Sequence, residues 1–349
     1  MNKFIQIRMI PAAFLGALLC ATGLLWPESE YKRPLTVAVN IWPGSERLVM
    51  ACDASNTKDL RINLVEMSWS TAVLAAFRKH VVDAAVVTLD ELIRLEADGA
   101  KPRAILILGI SRGSDAIMGH TGHRWLWNGY RQPKGSGPTM EHALPLSMQS
   151  LRGKHIGVEL RSSSEYLLRH ALAANGMSFQ DVEVVPINLA ETETAFKERG
   201  IDAVVTADPW CTRLQDKGAT VIYDSGKMDL EFSRVLVVRE EVLRAYPREL
   251  RSLVSACLEM SPQAGSPVIE NGMDATLRRE GFTPEQWQKA LQKMRLPDAA
   301  ENRRLFEQQA GGLEECLKKM SAEMLQMGLL QQEVEVRGLF ISEFLEELP

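Results

Sequence analysis

The sequence predicts an α/β protein in which strands and helices alternate as parallel βα units. Short apolar segments of strand length alternate with amphipathic helical segments along much of the chain. The turns after the predicted strands are rich in hydroxyl and aromatic side chains. Ligands of open α/β sheets bind at this edge, outside the carboxyl ends of the strands. At 349 residues the chain is long enough for two lobes, and we expect a small-molecule site between their strand ends.

Composition and charge narrow the class of protein further. Hydrophobic residues make up 46% and charged residues 24% of the chain, as in ordinary globular proteins. The net charge is −5 and no basic stripe interleaved with aromatic residues occurs, so we expect no nucleic-acid partner. Four cysteines lie far apart and are predicted to be free buried thiols: Cys52, Cys211, Cys257 and Cys316.

Motifs for catalysis and metal binding do not occur in the sequence. There is no nucleophile elbow, phosphate loop or zinc-binding helix. None of the six histidines directly follows a predicted strand. We therefore expect a binding protein without a catalytic residue, cofactor or metal ion, and not an enzyme.

The N-terminus carries a targeting signal. Lys3 and Arg8 precede Met9 to Trp26, an apolar run without a charge. Residues 1–26 are therefore predicted to be a signal peptide or a membrane anchor, with small residues for cleavage near Ala21 and lipid attachment at Cys20 as an alternative. The chain is expected to be exported to the periplasm, and the segment could tether it to the membrane.

The first half of the chain contains four predicted strands. They are Leu35–Asn40, Leu60–Met67, Asp83–Thr88 and Arg103–Ile110, with helices between them. Polar and aromatic residues that follow these strands are the predicted ligand contacts: Trp42, Ser68, Trp69, Thr88, Asp90, Ser114 and Asp115. Trp42 is equally well explained as a hydrophobic plug, and Asp90 as a helix cap. Residues 119–143, rich in Gly, Pro and aromatic residues, are predicted to be an inserted loop.

The stretch Leu151 to Glu165 is expected to open a second lobe. A predicted strand, Ile156–Leu160, leads into Ser162, Ser163 and Ser164, and an amphipathic helix follows. Serines at this position either cap the helix or bind a ligand at its N-terminus. Three more strands are predicted at Val182–Pro186, Ala203–Thr206 and Val221–Tyr223, with Asp208 and Trp210 as further ligand contacts.

The end of the chain is predicted to return to the first lobe. Arg234–Val238 is interpreted as the strand that crosses back. Helices are then expected at Glu240–Glu259, Pro284–Lys293, Ala299–Gln309 and Leu313–Leu330, followed by a short one at Phe340–Leu345. Their apolar faces would pack on the first lobe.

Five stretches in order resemble the periplasmic solute-binding proteins of ABC importers. They are VAVNIWPGSE from Val37, VDAAVVTLDELIRLEADG from Val82, LRGKHIGVELRSSSEYLLRHAL from Leu151, ERGIDAVVTADPW from Glu198 and MRLPDAAENRRLF from Met294. The chain is most similar to the branch that binds aliphatic sulfonates, taurine, nitrate and thiamine-pyrimidine precursors.

This resemblance implies a two-lobed periplasmic-binding-protein fold of type II, with a mostly parallel sheet in each lobe and the ligand cleft between them. Residues 34–115 and 234–349 would form lobe I, and residues 116–233 lobe II. The implied function is the extracytoplasmic substrate-binding component of an ABC importer, a monomer with permease subunits in the inner membrane as partners and lobe closure as its mechanism.

The charges at the strand ends limit the ligand. Asp90, Asp115 and Asp208 favour a cationic or donor-rich group, because an unpaired buried carboxylate is costly. The only basic residues that follow the predicted strands are Arg112 and Arg161. We therefore expect a zwitterion such as taurine, or an amine-bearing heterocycle such as an aminopyrimidine. A ligand sensor that signals to a membrane receptor and an iron-dependent pyrimidine synthase are the alternatives.

Overall fold

The structure is a computed structural model that describes residues 33–53, 61–120, 147–198, 200–260, 267–308 and 310–346. The predicted export segment at residues 1–26 and nearly all of the predicted insertion at 119–143 lie outside these residues. From Leu35 onward the described residues belong to one compact unit. No helix in the described ranges combines the length and hydropathy needed to cross a membrane.

Eleven strands occur in the described residues. In chain order they are β1 (Leu35–Val39), β2 (Ile62–Glu66), β3 (Ala84–Thr88), β4 (Pro102–Ser111), β5 (Asp115–Gly119), β6 (His155–Val158), β7 (Glu183–Pro186), β8 (Ala203–Ala207), β9 (Thr220–Asp224), β10 (Ser233–Arg239) and β11 (Met294–Arg295).

Helices connect and cover these strands. They are α1 (Glu46–Asp53), α2 (Ser70–Arg78), α3 (Leu89–Ala97), α4 (Ser163–Ala174), α5 (Thr192–Lys197), α6 (Trp210–Asp216), α7 (Glu240–Ala245), α8 (Pro247–Glu259), α9 (Pro267–Glu280), α10 (Pro284–Gln292), α11 (Ala299–Glu307) and α12 (Leu313–Gln326). Short 3₁₀ turns lie at Pro43–Ser45 and Ser342–Phe344, among other places.

The strands form two mixed sheets, one in each lobe. The first sheet has the order β11-β4-β10-β3-β1-β2 and the second the order β7-β6-β8-β5-β9. In the first sheet, β10 runs antiparallel to both neighbours, while β1, β2 and β3 are parallel. In the second sheet, β5 runs antiparallel to both β8 and β9. Most strands of each sheet therefore run in one direction, with β10 and the short edge strand β11 reversed in the first sheet and β5 reversed in the second. The predicted two-lobed α/β fold is confirmed.

The chain crosses between the two sheets twice. It leaves the first sheet after β4 and enters the second at β5, and it returns between β9 and β10. Ser111 and Ser225, one on each crossing, join their hydroxyl oxygens at 2.6 Å. Gly113 also donates its amide to Ser225 Oγ at 2.9 Å. The two crossings are thus bonded to each other.

Some elements differ from the sequence prediction. The strand β5 was not predicted: Asp115 was expected to end a turn and Gly119 to begin the inserted loop. All five residues of β5 are buried and need ladder hydrogen bonds. The single helix expected at Glu240–Glu259 is divided into α7 and α8. Pro247 has no amide hydrogen to continue the first helix, and it occupies the first turn of the second. Helix α9 was not predicted.

A tryptophan fills the space where the first sheet meets the crossing segments. Trp42 follows β1 and its side chain is completely buried. A Cβ atom placed on Gly44 would lie 1.9 Å from a ring carbon of Trp42, and one on Gly109 would lie 2.8 Å from another. The backbone can approach the indole ring this closely only where no side chain intervenes.

Gly44→Ala is expected to lower the free energy of unfolding by at least about 3 kcal/mol, because the indole ring must move within a close-packed interior. Urea denaturation measures this loss. Gly99→Ala is the control: its Cβ would meet no atom within 4 Å, and its backbone φ of +75° carries only a strain cost of about 1 kcal/mol. Equal losses in the two variants would contradict this explanation.

Candidate functional site

The candidate site lies where the strand ends of the two lobes face each other. Thr71, in the first turn of α2, donates from its amide and from its hydroxyl to Glu159 Oε1, both at 3.1 Å. Thr71 belongs to the first lobe, whereas Glu159 follows β6 of the second. One carboxylate thus caps a helix of the opposite lobe and bridges the cleft between them.

A cavity of about 240 Å³ lies beside this bridge. Its lining combines hydroxyl, amide, carboxylate and aliphatic groups and contains no basic side chain: Thr71, Glu159, Leu160, Pro186, Ile187, Asn188 and Glu191. Burial raises the pKa of Glu159, although the hydrogen bonds from Thr71 act in the opposite direction. An amine could neutralise this buried carboxylate.

Three predicted contacts and Arg234 form the floor of the cleft. Trp42 donates from its indole nitrogen to Ser114 Oγ at 3.0 Å. Asp115 accepts two hydrogen bonds from the Arg234 guanidinium, at 2.9 and 3.1 Å. The guanidinium carbon of Arg234 lies 4.0 Å from the centre of the Trp42 ring, which is a cation–π contact. All four side chains are buried, so in this arrangement they contact one another.

Arg234 supplies the positive charge of this cluster, and it was not among the site residues predicted from the sequence. It lies near the beginning of β10 and is paired in register with Thr88 at the end of β3. Because β10 is antiparallel, its amino end lies at the same edge as the carboxyl ends of the parallel strands. Asp115 is therefore already neutralised and does not by itself require a cationic ligand. The sequence does contain a signal for it, because the strand predicted to cross back to the first lobe begins with a basic residue.

The side chains at the end of β3 form a buried capping network. Thr88 donates from its hydroxyl to Asp90 Oδ1 at 2.6 Å, and Glu91 accepts the Thr88 amide at 3.0 Å. Arg94 Nε lies 3.5 Å from Asp90 Oδ2. Burial, followed by the charge of Asp90, raises the pKa of Glu91 to about 7. Thr88 and Asp90 thus serve the start of α3, which was the alternative explanation for Asp90.

The three predicted serines are not equivalent. Ser162 caps α4: its Oγ accepts from the Ser164 amide at 3.1 Å and donates to the Glu159 carbonyl oxygen at 2.7 Å. Ser164 is half-buried, whereas Ser163 is buried. No hydrogen bond of the Ser163 or the Ser164 hydroxyl is found within the described residues, so these two side chains remain available to a ligand.

The other predicted contacts lie on two sides of the cleft. Asp208 is completely buried; its Oδ1 accepts from the Thr212 amide at 2.8 Å, and its Oδ2 lies 3.7 Å from Lys293 Nζ. Trp210 is buried in α6. By contrast, Ser68 is exposed and Trp69 retains 38% of its surface, next to Thr71. Ser68 and Trp69 therefore lie at the protein surface, close in sequence to Thr71 of the cavity lining.

A second buried carboxylate lies near Asp208. Burial raises the pKa of Glu280 to about 8, with Arg279 acting against this shift and Asp208 adding to it. Glu280 is 1% exposed.

One cluster in the described residues could hold a metal ion: His170 lies on α4, Glu323 on α12, and Glu231 in the turn before β10. His170 Nδ1 is 3.4 Å from Glu323 Oε2 and 3.9 Å from Glu231 Oε2. Burial lowers the pKa of His170, but the hydrogen bond to Glu323 and the neighbouring negative charges outweigh it, so the pKa is raised. The two carboxylates therefore favour the protonated form of His170.

Removing one member of the Asp115–Arg234 pair is expected to cost about 3–5 kcal/mol of unfolding free energy, because the other buried charge loses its partner. Asp115→Asn and Arg234→Gln should each show this loss in urea denaturation. The double variant should lose clearly less than the sum of the two. Additive losses would mean that the two side chains do not interact as described.

The free energy of unfolding is expected to rise as the pH falls from about 8 to about 5. The pKa of Glu280 is about 8 and that of Glu91 about 7, both above the ordinary value of 4.5, so these two groups take up protons in this window in the folded protein and hardly any in the unfolded chain. Glu280→Gln should remove a contribution on the order of a few kcal/mol. Chemical denaturation at several pH values measures it.

The matched control is Glu183→Gln, which changes an exposed glutamate on β7. This variant should keep the pH dependence of the parent protein. A Glu280→Gln variant that also keeps it would show that Glu280 does not titrate in the folded state as described.

Comparisons with known proteins agree with this architecture. A protein of Brucella abortus that carries the provisional name of a binding protein is 26% identical over 136 residues, which is 38% of this chain and 42% of that relative. The alkanesulfonate-binding protein SsuA of Xanthomonas axonopodis, bound to MOPS, has a TM-score of 0.63 at 16% identity and covers 89% of this chain and 99% of its own. A ligand-binding component of an ABC-type import system from Staphylococcus aureus has a TM-score of 0.69 at 13% identity, and the match covers 91% of this chain and 99% of that protein.

One solved structure with this fold is an enzyme. The desulfurization enzyme DSZB has a TM-score of 0.53 at 16% identity and covers 89% of this chain and 97% of its own. At such identities the structures establish the fold alone. The model of the NMT1-like family matches residues 28–266, more than half of the chain. This protein therefore belongs to the NMT1-like family and has the fold of the periplasmic solute-binding proteins.

Proposed function

We propose that this protein is the extracytoplasmic substrate-binding component of an ABC importer and that it captures a small polar organic molecule by closure of its two lobes. The observation that carries the proposal is the cavity beside Glu159 and Thr71, at the seam between the lobes. Its lining comes from both lobes, so lobe separation would open it.

The charge of this cavity supports an amine-bearing ligand. Asp90, Asp115 and Asp208 each have a basic partner within 4 Å, and they do not need one from a ligand. Glu159 and Glu191 line the cavity without a basic side chain beside them. The amine of a taurine-like zwitterion or of an aminopyrimidine would therefore be recognised by Glu159, with Trp69 as an aromatic wall.

The fold supports a proposal for the lobes and the partners. We infer that residues 34–115 with 234–349 form one moving body and residues 116–233 the other, with a hinge at the linked crossings around Ser111 and Ser225. In this proposal the closed protein acts as a monomer in the periplasm and delivers its ligand to permease subunits in the inner membrane. Ser68, Ser163 and Trp69 would contact the ligand directly.

Glu159→Gln is expected to weaken binding of the amine-bearing ligand by about 10- to 100-fold, because it removes a charge-assisted hydrogen bond inside the closed cleft. Native mass spectrometry of the protein purified from its own host identifies the bound molecule. Thermal shifts with taurine and with an aminopyrimidine then measure the affinity of each variant.

Glu183→Gln is again the control, since it removes a glutamate on the outer edge of the second sheet. It should bind the ligand like the parent protein. If the parent protein carries no small molecule and gains no thermal stability with either compound, the transport proposal fails. If Glu159→Gln binds as tightly as the parent, the amine recognition fails although transport stands.

A further inference from the structure

A second and larger cavity lies at the other end of α2. Its volume is about 410 Å³, and its lining includes Arg78, Arg94 and Arg161. Arg78 ends α2 and Arg94 lies on α3, both in the first lobe, whereas Arg161 leads into α4 of the second. Three guanidinium groups from both lobes therefore surround one space.

Only part of this positive charge is compensated inside the protein. Arg78 Nε pairs with Asp98 Oδ2 at 2.6 Å, which uses the first carboxylate of the lining. The second carboxylate, Glu165, pairs with Arg169 at 2.8 Å and accepts the backbone amide of Arg161 at 2.7 Å. Both carboxylates are thus engaged, and neither neutralises the side chains of Arg94 and Arg161.

Arg94 and Arg161 have donors without acceptors. Arg94 is 8% exposed and approaches Asp90 only through Nε at 3.5 Å, while its Nη2 atom is buried without a hydrogen-bond partner. Arg161 is exposed, and no protein acceptor of its guanidinium is found within the described part of the chain, so its donors are open to a ligand from solvent. A buried guanidinium nitrogen without an acceptor is unfavourable, and its planar fork matches the oxygens of carboxylate, sulfonate and phosphate groups.

We propose that this cavity binds a small oxyanion through Arg94 and Arg161. The ligand class is a sulfate or phosphate ion or the sulfonate or carboxylate end of an organic anion, held by paired N–H donors. Gln331 and Gln332, which follow α12 and also line the cavity, supply further donors. Because Arg94 and Arg161 belong to different lobes, the bound anion joins the lobes.

This site is separate from the cavity at Glu159. Thr71 and Arg78 lie seven positions apart on α2, which is roughly 10 Å along a helix. A molecule as short as taurine cannot reach both ends. The two cavities also have opposite charge, since one is lined by carboxylates without a basic side chain and the other by three arginines.

Isothermal titration calorimetry of the full-length protein tests the proposal. Sodium sulfate, sodium phosphate and sodium ethanesulfonate are the probes, each titrated at an ionic strength held constant with sodium chloride. The proposal requires saturable binding of at least one probe at one site per chain. Binding of sulfate or phosphate alone identifies an inorganic anion, whereas binding of ethanesulfonate identifies the end group of an organic one.

Arg161→Gln should weaken this binding at least 10-fold, and Arg161→Lys, which keeps the charge but not the planar fork, should restore only part of it. Arg337→Gln is the control, because Arg337 is exposed and outside the cavity. The proposal is overturned if no probe saturates, or if Arg161→Gln binds the probe as tightly as the parent.

Glu159→Gln separates this proposal from the proposed function. That variant should lose affinity for the amine-bearing ligand and keep the affinity for the anion. Anion binding that falls tenfold in Glu159→Gln would contradict two separate sites and overturn the proposal. A failure of the amine ligand to bind would leave the anion result intact.

Discussion

The ion pair between Asp115 and Arg234 is the constraint on which the two-lobed arrangement depends. Asp115 begins β5 just after the first crossing, and Arg234 lies near the start of β10 just after the second. Their bidentate contact therefore joins the two crossings, and the indole ring of Trp42 covers it. A buried pair of this kind contributes more to geometric specificity than to net stability, because desolvation offsets much of the attraction. It fixes where the second lobe leaves the first.

This junction also determines which groups of the cleft remain for a ligand. With Asp115 and Arg234 satisfied by each other, the floor of the cleft is electrically balanced. Glu159, which follows β6, is bound by Thr71 but by no cation, and its carboxylate remains costly to bury. In the proposed function, selectivity for an amine would thus depend on the Glu159 carboxylate on the wall of the cleft, rather than on the aspartates of the strand ends.

The strands and the strand-end turns could be predicted because their signals are local. An apolar run of five residues ending in a hydroxyl, as at Ala84–Thr88, contains its own evidence. The charge pairing could not be predicted, because Asp115 and Arg234 are 119 positions apart and meet only through an antiparallel strand. The use of Ser162 as a cap depends equally on the geometry of the turn at Glu159. Helix α9 was missed because its apolar pattern is weak and Asn271 and Gly272 interrupt it.

Helix α2 explains why cavities of opposite charge lie on the same seam. The N-terminus of a helix carries partial positive charge and the C-terminus partial negative charge. Glu159 of the second lobe meets the first turn at Thr71, and Arg78 lies in the last turn, so both charges complement the helix dipole. The partial positive charge at the N-terminus of α2 repels an amine that binds Glu159. The amine would therefore lie beside the carboxylate and away from the helix axis. An anion near Arg78 meets a negative helix end and therefore depends on Arg94 and Arg161 to hold it.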